Sequence, residues 1–228
     1  MKKTAAIQSP AAVNPASDSH ARKIVMLALL SALGFISMLL IKIPTVWILK
    51  YEPKDIFLTF AGFLYGPLAA LACSVVTALL ELPFSSTGLI GMVMNLLSSA
   101  AFSCTAALIY KKRSDLIGAV IGLASGMVVM TTTMLLWNYL ITPLYMNTTR
   151  EQVAPMLTTV FLPFNLLKSG LNSGLILLLF KPFLRALALC GFPVGSHKSS
   201  KKAATAVIIV FSVILLAVCS GVIWYLNK

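Results

Sequence analysis

Asn165, Lys168 and Asn172 stand inside an apolar run that extends from about residue 156 to 183. Their spacing, i, i+3 and i+7, puts an ammonium and two carboxamides on one face of a single helix. A charged side chain at a bilayer centre costs roughly 2.5–3.5 kcal/mol on insertion scales, so such a stripe must face protein, water or a ligand rather than lipid. The ordinary reading is that Lys168 pairs with Glu81 or a backbone carbonyl, or snorkels to an interface. The sharper one is a buried polar site. Other spans carry matching residues. Asn95 and Ser99 share a face at i, i+4, and Asn138, Thr142 and Tyr145 form a second stripe beside Trp137 and Tyr139. An amide both donates and accepts, so it matches an imide edge; a lysine donates to a carbonyl or holds an anion. Aromatic and aliphatic walls suit a flat ring. All of these residues except Lys168 also suit plain interhelical hydrogen bonding, worth about 0.6–2 kcal/mol each.

Catalysis finds no support in the residues. The stretch Gly191-Phe-Pro-Val-Gly195-Ser-His-Lys-Ser lacks the Gly-Lys-Ser/Thr ending of a phosphate loop, so the chain is not expected to hydrolyse ATP itself. The two histidines, His20 and His197, lie in polar connectors and form no zinc motif. The four cysteines fall in or beside apolar runs at unrelated spacings and read as small buried residues. No catalytic residue, metal or cofactor is expected. Six acidic residues are few for a proton-coupled carrier, and Glu81 alone among them approaches an apolar span.

The positioning elements follow from composition. With 59% hydrophobic and 11% charged residues, and apolar runs of membrane-spanning length, the chain reads as an all-α polytopic membrane protein. Its net charge of +12 does not indicate nucleic acid, because the basic residues cluster between spans. Residues 1–20 read as a flexible cytoplasmic arm, since no apolar segment follows Lys2 and Lys3 closely enough for a signal peptide. A first span covers residues 21–42, with Ala28 and Ala32 four apart as a small-residue contact. Residues 43–55, with Pro44 and Pro53, break any helix. Trp47 and Tyr51 there suit a membrane–water boundary, and the stretch could fold over a site as a lid.

Residues 56–82 are long for one span and carry Gly66-Pro67 in the middle. Two short helices, 55–65 and 67–82, place Lys111-Lys112-Arg113 on the cytoplasmic side, as the positive-inside rule requires. Spans at 91–110 and 115–145 follow, the second opened by Asp115 and distorted or ended by Pro143. Residues 146–155 read as an outer loop. The polar-striped span comes next, then a basic cytoplasmic connector at 188–203 and one more apolar helix at 204–228. This topology puts twelve of the eighteen Lys and Arg residues inside and five outside, Lys54 among the latter, with Lys168 in the membrane. The N-terminus is then cytoplasmic and the C-terminus extracellular.

Four segments together resemble a known family. They are Tyr51-Glu-Pro-Lys-Asp-Ile-Phe-Leu-Thr-Phe-Ala-Gly-Phe-Leu-Tyr-Gly-Pro67, Gly88-Leu-Ile-Gly-Met-Val-Met-Asn95, Trp137-Asn-Tyr-Leu-Ile-Thr-Pro-Leu-Tyr145 and Leu162-Pro-Phe-Asn-Leu-Leu-Lys168. They are similar to the substrate-binding (S) components of energy-coupling factor (ECF) vitamin transporters, most of all the riboflavin-specific branch. The resemblance implies a six-helix S-component bundle over residues 21–187, with the helix at 204–228 as an extra. It implies riboflavin as the transported ligand, bound near the outer face, and no resident cofactor. Asn165 and Lys168 would contact the isoalloxazine ring and Asn138 would help to hold it. Pro44, Thr45, Val46, Trp47 and Leu49 would cover it, with Asn95 and Tyr145 in the same site. Ala28 and Ala32 would dock on a transmembrane coupling subunit, and two cytoplasmic ATPases would complete the importer in a bacterial cell membrane. Another vitamin, such as thiamine, folate or biotin, or a stand-alone secondary carrier, is the alternative.

Overall fold

Prolines, glycines and caps decide where the helices stop. The computed structural model describes residues 20–46, 49–85 and 88–189, together with eight residues within 209–221, all of them helical. Helix α1 (His20–Leu40) ends four residues ahead of Pro44. A hairpin follows: β1 (Ile43–Val46) pairs antiparallel with β2 (Leu49–Tyr51). The register shifts between Pro44 and Val46, where a proline without an N–H interrupts the ladder. The segment expected to break the helices thus adds a small ribbon to the all-α bundle.

The split at Gly66-Pro67 is as the sequence indicates. Helix α2 (Lys54–Tyr65) stops at Gly66, whose φ of 91° belongs to the left-handed region that glycine tolerates. Pro67 then occupies the first turn of α3 (Pro67–Glu81), which a 3-10 turn prolongs to Phe84. With twelve residues α2 is only about 18 Å long, too short to cross a ~30 Å hydrocarbon layer. It lies inside the bundle, with Leu58, Thr59 and Ala61 fully buried.

Helix α4 (Gly88–Lys112) leads to Asp115, the N-cap of α5 (Leu116–Met146), whose carboxylate accepts from the Gly118 N–H at 2.7 Å. Pro143 lies inside α5, which ends three residues later at Met146 and is capped by Asn147 in a left-handed conformation. The two helices meet closely. A Cβ on Gly122 would lie 2.7 Å from the Ala106 carbonyl oxygen, and one on Gly126 would lie 2.8 Å from that of Phe102. Gly122 and Gly126, four residues apart, therefore form a ridge that brings the two backbones together. The Ala28/Ala32 pair drew attention in the sequence; this stronger ridge did not.

The expected outer loop at 146–155 is a correction. Only a short turn separates α5 from α6 (Arg150–Met156), which opens on a capping box between Thr149 and Gln152. A π-helical turn, Leu157–Phe161, joins α6 to α7 (Leu162–Leu189). The hydroxyls of Thr158 and Thr159 both donate to the Pro155 carbonyl, at 3.1 and 2.9 Å, which competes with regular backbone bonding at that turn.

Among the described residues, five helical stretches are long and apolar enough to cross a membrane. Their outward faces are greasy; Ile24, Val25 and Leu29 of α1 are exposed by half or more. The aromatic centre of the core includes Phe60 stacked on Phe183 at 4.1 Å. Residues 1–19 of the expected arm and 190–203 of the expected connector lie outside the described residues, as does much of 204–228. Of that last segment, Leu215 and Cys219 pack with Leu167 and Leu171 of α7 and with Tyr51.

Candidate functional site

A cavity of about 430 Å³ lies at the hairpin end of the bundle. Its walls come from Met38 at the end of α1, from Leu49, Lys50 and Glu52 of the hairpin, and from Glu81 at the end of α3. The first half of α4 supplies Met94, Asn95 and Ser98, and the second half of α5 supplies Met134 and Met146. Lys42, Phe161, Phe164, Asn165 and Lys168 also line it. That volume falls within the ~300–1,000 Å³ of small-molecule sites, and the lining mixes apolar side chains with polar and charged ones. Methionines make an adaptable wall.

Lys168 is 7% exposed and sits on this wall. It donates to Ser98 Oγ at 3.3 Å and lies 3.6 Å from Asp55 Oδ2. Its carboxylate partner is thus Asp55 rather than Glu81. Asp55, in the first turn of α2, is 0% exposed. Its Oδ1 accepts from Ser99 Oγ at 2.5 Å and its Oδ2 from Asn172 Nδ2 at 3.1 Å. Asn172 in turn accepts from the Tyr51 hydroxyl at 2.8 Å. The stripe of α7 is therefore divided. Asn165 and Lys168 reach the cavity, while Asn172 reaches Asp55 and the hairpin. Tyr51 is not at a water boundary but buried, and burial, with the Asp55 carboxylate beside it, pushes its phenol pKa up.

A second ion pair lies alongside. Lys54 Nζ is 2.6 Å from Glu81 Oε1, both side chains are 2% exposed, and Asn95 Nδ2 donates to Glu81 Oε2 at 3.2 Å. Lys54, expected on the outer flank, and Asp55, expected at the start of a short helix, are both interior. The reason is local: they open a helix surrounded by other helices, so their charges meet protein groups instead of lipid or bulk water. Glu52 remains at the rim, half-buried, and burial pushes its carboxyl pKa up against the opposing pull of Lys54 and Lys168.

The expected site residues are placed as follows. Leu49, Asn95, Asn165 and Lys168 line the cavity. Asn165 Nδ2 donates to the Phe161 carbonyl at 2.7 Å, which leaves its own Oδ1 without a partner among the described residues. Asn138 is buried but is not on the wall; its amide donates to Met134 O at 2.7 Å and accepts from Thr142 at 3.0 Å. The side chains of Pro44, Thr45, Val46 and Tyr145, and all of Trp47, lie outside the described residues. Ala28 and Ala32 are exposed on α1, two to three turns before Met38. Sequence reasoning missed Asp55, Ser98 and the methionines. The signal for Asp55 was its place directly after Pro53 and Lys54, where a helix begins. Among the described residues no cluster of His, Cys, Asp and Glu is arranged for a metal ion.

Known proteins bear on this arrangement. The family model for the substrate-specific component of ECF transporters matches residues 22–180. The riboflavin transporter RibU of Staphylococcus aureus is 27% identical over 169 residues, which cover 70% of this chain and 89% of that protein. The riboflavin transporter FmnP of Bacillus subtilis is 29% identical over 179 residues, covering 72% and 94%. A solved S component of a bacterial ECF transporter superposes with a TM-score of 0.64 at 28% identity, over 73% of this chain and 98% of that one. With a family match over most of its length and the same helical bundle in a solved relative, the chain belongs to the substrate-specific components of ECF transporters, multi-pass membrane proteins of vitamin transport rather than enzymes.

Proposed function

We propose that this chain is the riboflavin-capturing subunit of an ATP-driven importer. The observation that carries the reading is the cavity wall itself: Asn165 Oδ1, without a partner among the described residues, and the Lys168 ammonium stand one helical turn apart among methionine and phenylalanine side chains. A flat, carbonyl-bearing ring satisfies both polar groups and fills the apolar remainder. The riboflavin transporters among its relatives support the choice of vitamin. Lys111, Lys112 and Arg113 lie at the end of α4 opposite the cavity, so the positive-inside rule turns the cavity outward, with the N-terminus cytoplasmic and the C-terminus, after the additional helix, outside. In this reading the hairpin covers the ligand. The exposed Ala28 and Ala32 dock on a transmembrane coupling subunit, and two cytoplasmic ATPases drive release in a bacterial cell membrane.

Mass spectrometry of the detergent-purified protein tests the vitamin. Bound riboflavin, with affinity lost in Lys168→Ala and Asn165→Ala, is the expected result. Thiamine, folate or biotin in its place, or riboflavin affinity unchanged in both variants, overturns it. Ligand transport in liposomes by this chain alone overturns the ATPase coupling.

A further inference from the structure

Asp55 does not itself line the cavity, yet it faces Lys168, the buried cation that does; the other two lysines on the wall, Lys42 and Lys50, are exposed. Its carboxylate is held twice without Lys168, by Ser99 at 2.5 Å and by Asn172 at 3.1 Å, so it is a fixed charge and Lys168 comes to it. Lys168 has three N–H groups. One donates to Ser98 at 3.3 Å and one points toward Asp55 at 3.6 Å, which leaves one for the cavity. Lys54 and Glu81 cancel each other beside them. These four buried charges therefore sum to zero and leave a strong donor beside the cavity, whose remaining charges, on Lys42, Lys50 and Glu52, are more exposed.

We infer that Asp55 is a positioning residue that sets the charge preference of the site: by neutralising Lys168 it makes the cavity select an uncharged carbonyl-bearing ring and gives an anionic ring no advantage. This rests on the flavin reading above and adds the feature that chooses among flavin-like ligands. An unpaired ammonium in a water-poor cavity attracts an anion strongly, whereas a paired one offers chiefly a hydrogen bond. Asn at position 55 keeps the shape and can still accept from Ser99, but it removes the counter-charge.

The test measures binding of lumiflavin and of its N3-carboxymethyl derivative to full-length protein in detergent. The ratio of the two affinities should shift toward the anionic probe by about tenfold or more in Asp55→Asn. It should return to the wild-type ratio in Asp55→Asn/Lys168→Gln, where both charges are gone. A merely structural role would weaken both probes alike and leave the ratio unmoved. A second readout needs no flavin: reductive methylation of Lys168, followed by mass spectrometry, should accelerate in Asp55→Asn, because the amine is no longer held by the carboxylate that pairs with it. An unchanged ratio, or Lys168 methylated at the wild-type rate in Asp55→Asn, overturns the inference. Wild-type protein that binds neither flavin, with Lys168 methylation still accelerated, overturns the flavin reading and leaves the charge balance standing.

Discussion

The Lys54–Glu81 pair allows a quantitative test of how dry the interior is. Replacing Glu81 with Met leaves the Lys54 ammonium, 2% exposed, with no anion nearer than Glu52 at 4.0 Å. Removing one partner of a buried pair costs about 3–5 kcal/mol. The reverse change, Lys54→Met, should cost less, nearer 2–3 kcal/mol, because Glu81 keeps its hydrogen bond from Asn95 and borders the cavity, where water can solvate it. In the double variant neither charge remains. Its expected loss is only about 0–2 kcal/mol, mostly the Asn95 amide left without its acceptor. The order Glu81→Met, Lys54→Met, double variant, from most to least destabilised, follows from the partners that each remaining group keeps. Unfolding in mixed dodecyl maltoside–SDS micelles, followed by circular dichroism, yields all three values and a coupling energy. Additive single variants, or losses below about 1 kcal/mol each, would mean that water reaches both charges and that the pair is an ordinary surface contact.

Three further outcomes are expected in the same assay. Gly122→Ala places a methyl group 2.7 Å from the Ala106 carbonyl oxygen and should cost about 1–3 kcal/mol by forcing α4 and α5 apart. Tyr51→Phe strands the fully buried Asn172 Oδ1 and should cost about 1–3 kcal/mol, with faster amide exchange in the hairpin. Asp115→Ala removes the α5 cap and should cost about 0.5–2 kcal/mol at neutral pH. The Gly118 N–H, and after it Arg113, hold the Asp115 carboxyl below its ordinary value of 3.8 in the folded state. Its contribution is therefore present above about pH 4 and lost as pH falls through the lower folded value, so the gap between variant and wild type should close in acid.

The helices and their breaks were legible because each carries a local signal. Gly66-Pro67 states a turn and a helix start in adjacent residues, and Asp115 stands one residue ahead of an apolar run. The capping box at Thr149 and Gln152 was equally local but was hidden by the prior expectation that polar residues between spans form a loop. The membrane lysine was legible from its cost alone. Its partner was not, because Asp55 and Lys168 are brought together by tertiary packing of α2 against α7. Charges placed beside two prolines read as solvent-exposed until the helix they begin is known to be interior. Asn138 shows the ambiguity of such stripes: the spacing is the same whether an amide serves a ligand or a neighbouring carbonyl, and here the amide donates to a backbone carbonyl one turn away.

The placement of these ions follows a physical rule that the fold makes visible. A charge on any long helix has to be aimed inward against a face that also meets lipid. Helix α2 is too short to span, bounded by Pro53 and Gly66, and enclosed by other helices, so charges at its start are screened from hydrocarbon whichever way they point. The same start is covalently continuous with the hairpin. Tyr51, Lys54 and Asp55 lie within five residues, and Pro53, with φ at −82°, stiffens the joint between them. Tyr51 and Asp55 also share one carboxamide, since Asn172 accepts from the first and donates to the second. A displacement of β2 that pulls Tyr51 away must therefore either turn the Asn172 amide or carry the start of α2 with it, and both disturb the carboxylate that balances Lys168. The hairpin at the cavity rim and the neutral floor beneath it are in that sense one mechanical unit, joined by backbone on one side and by a single amide on the other.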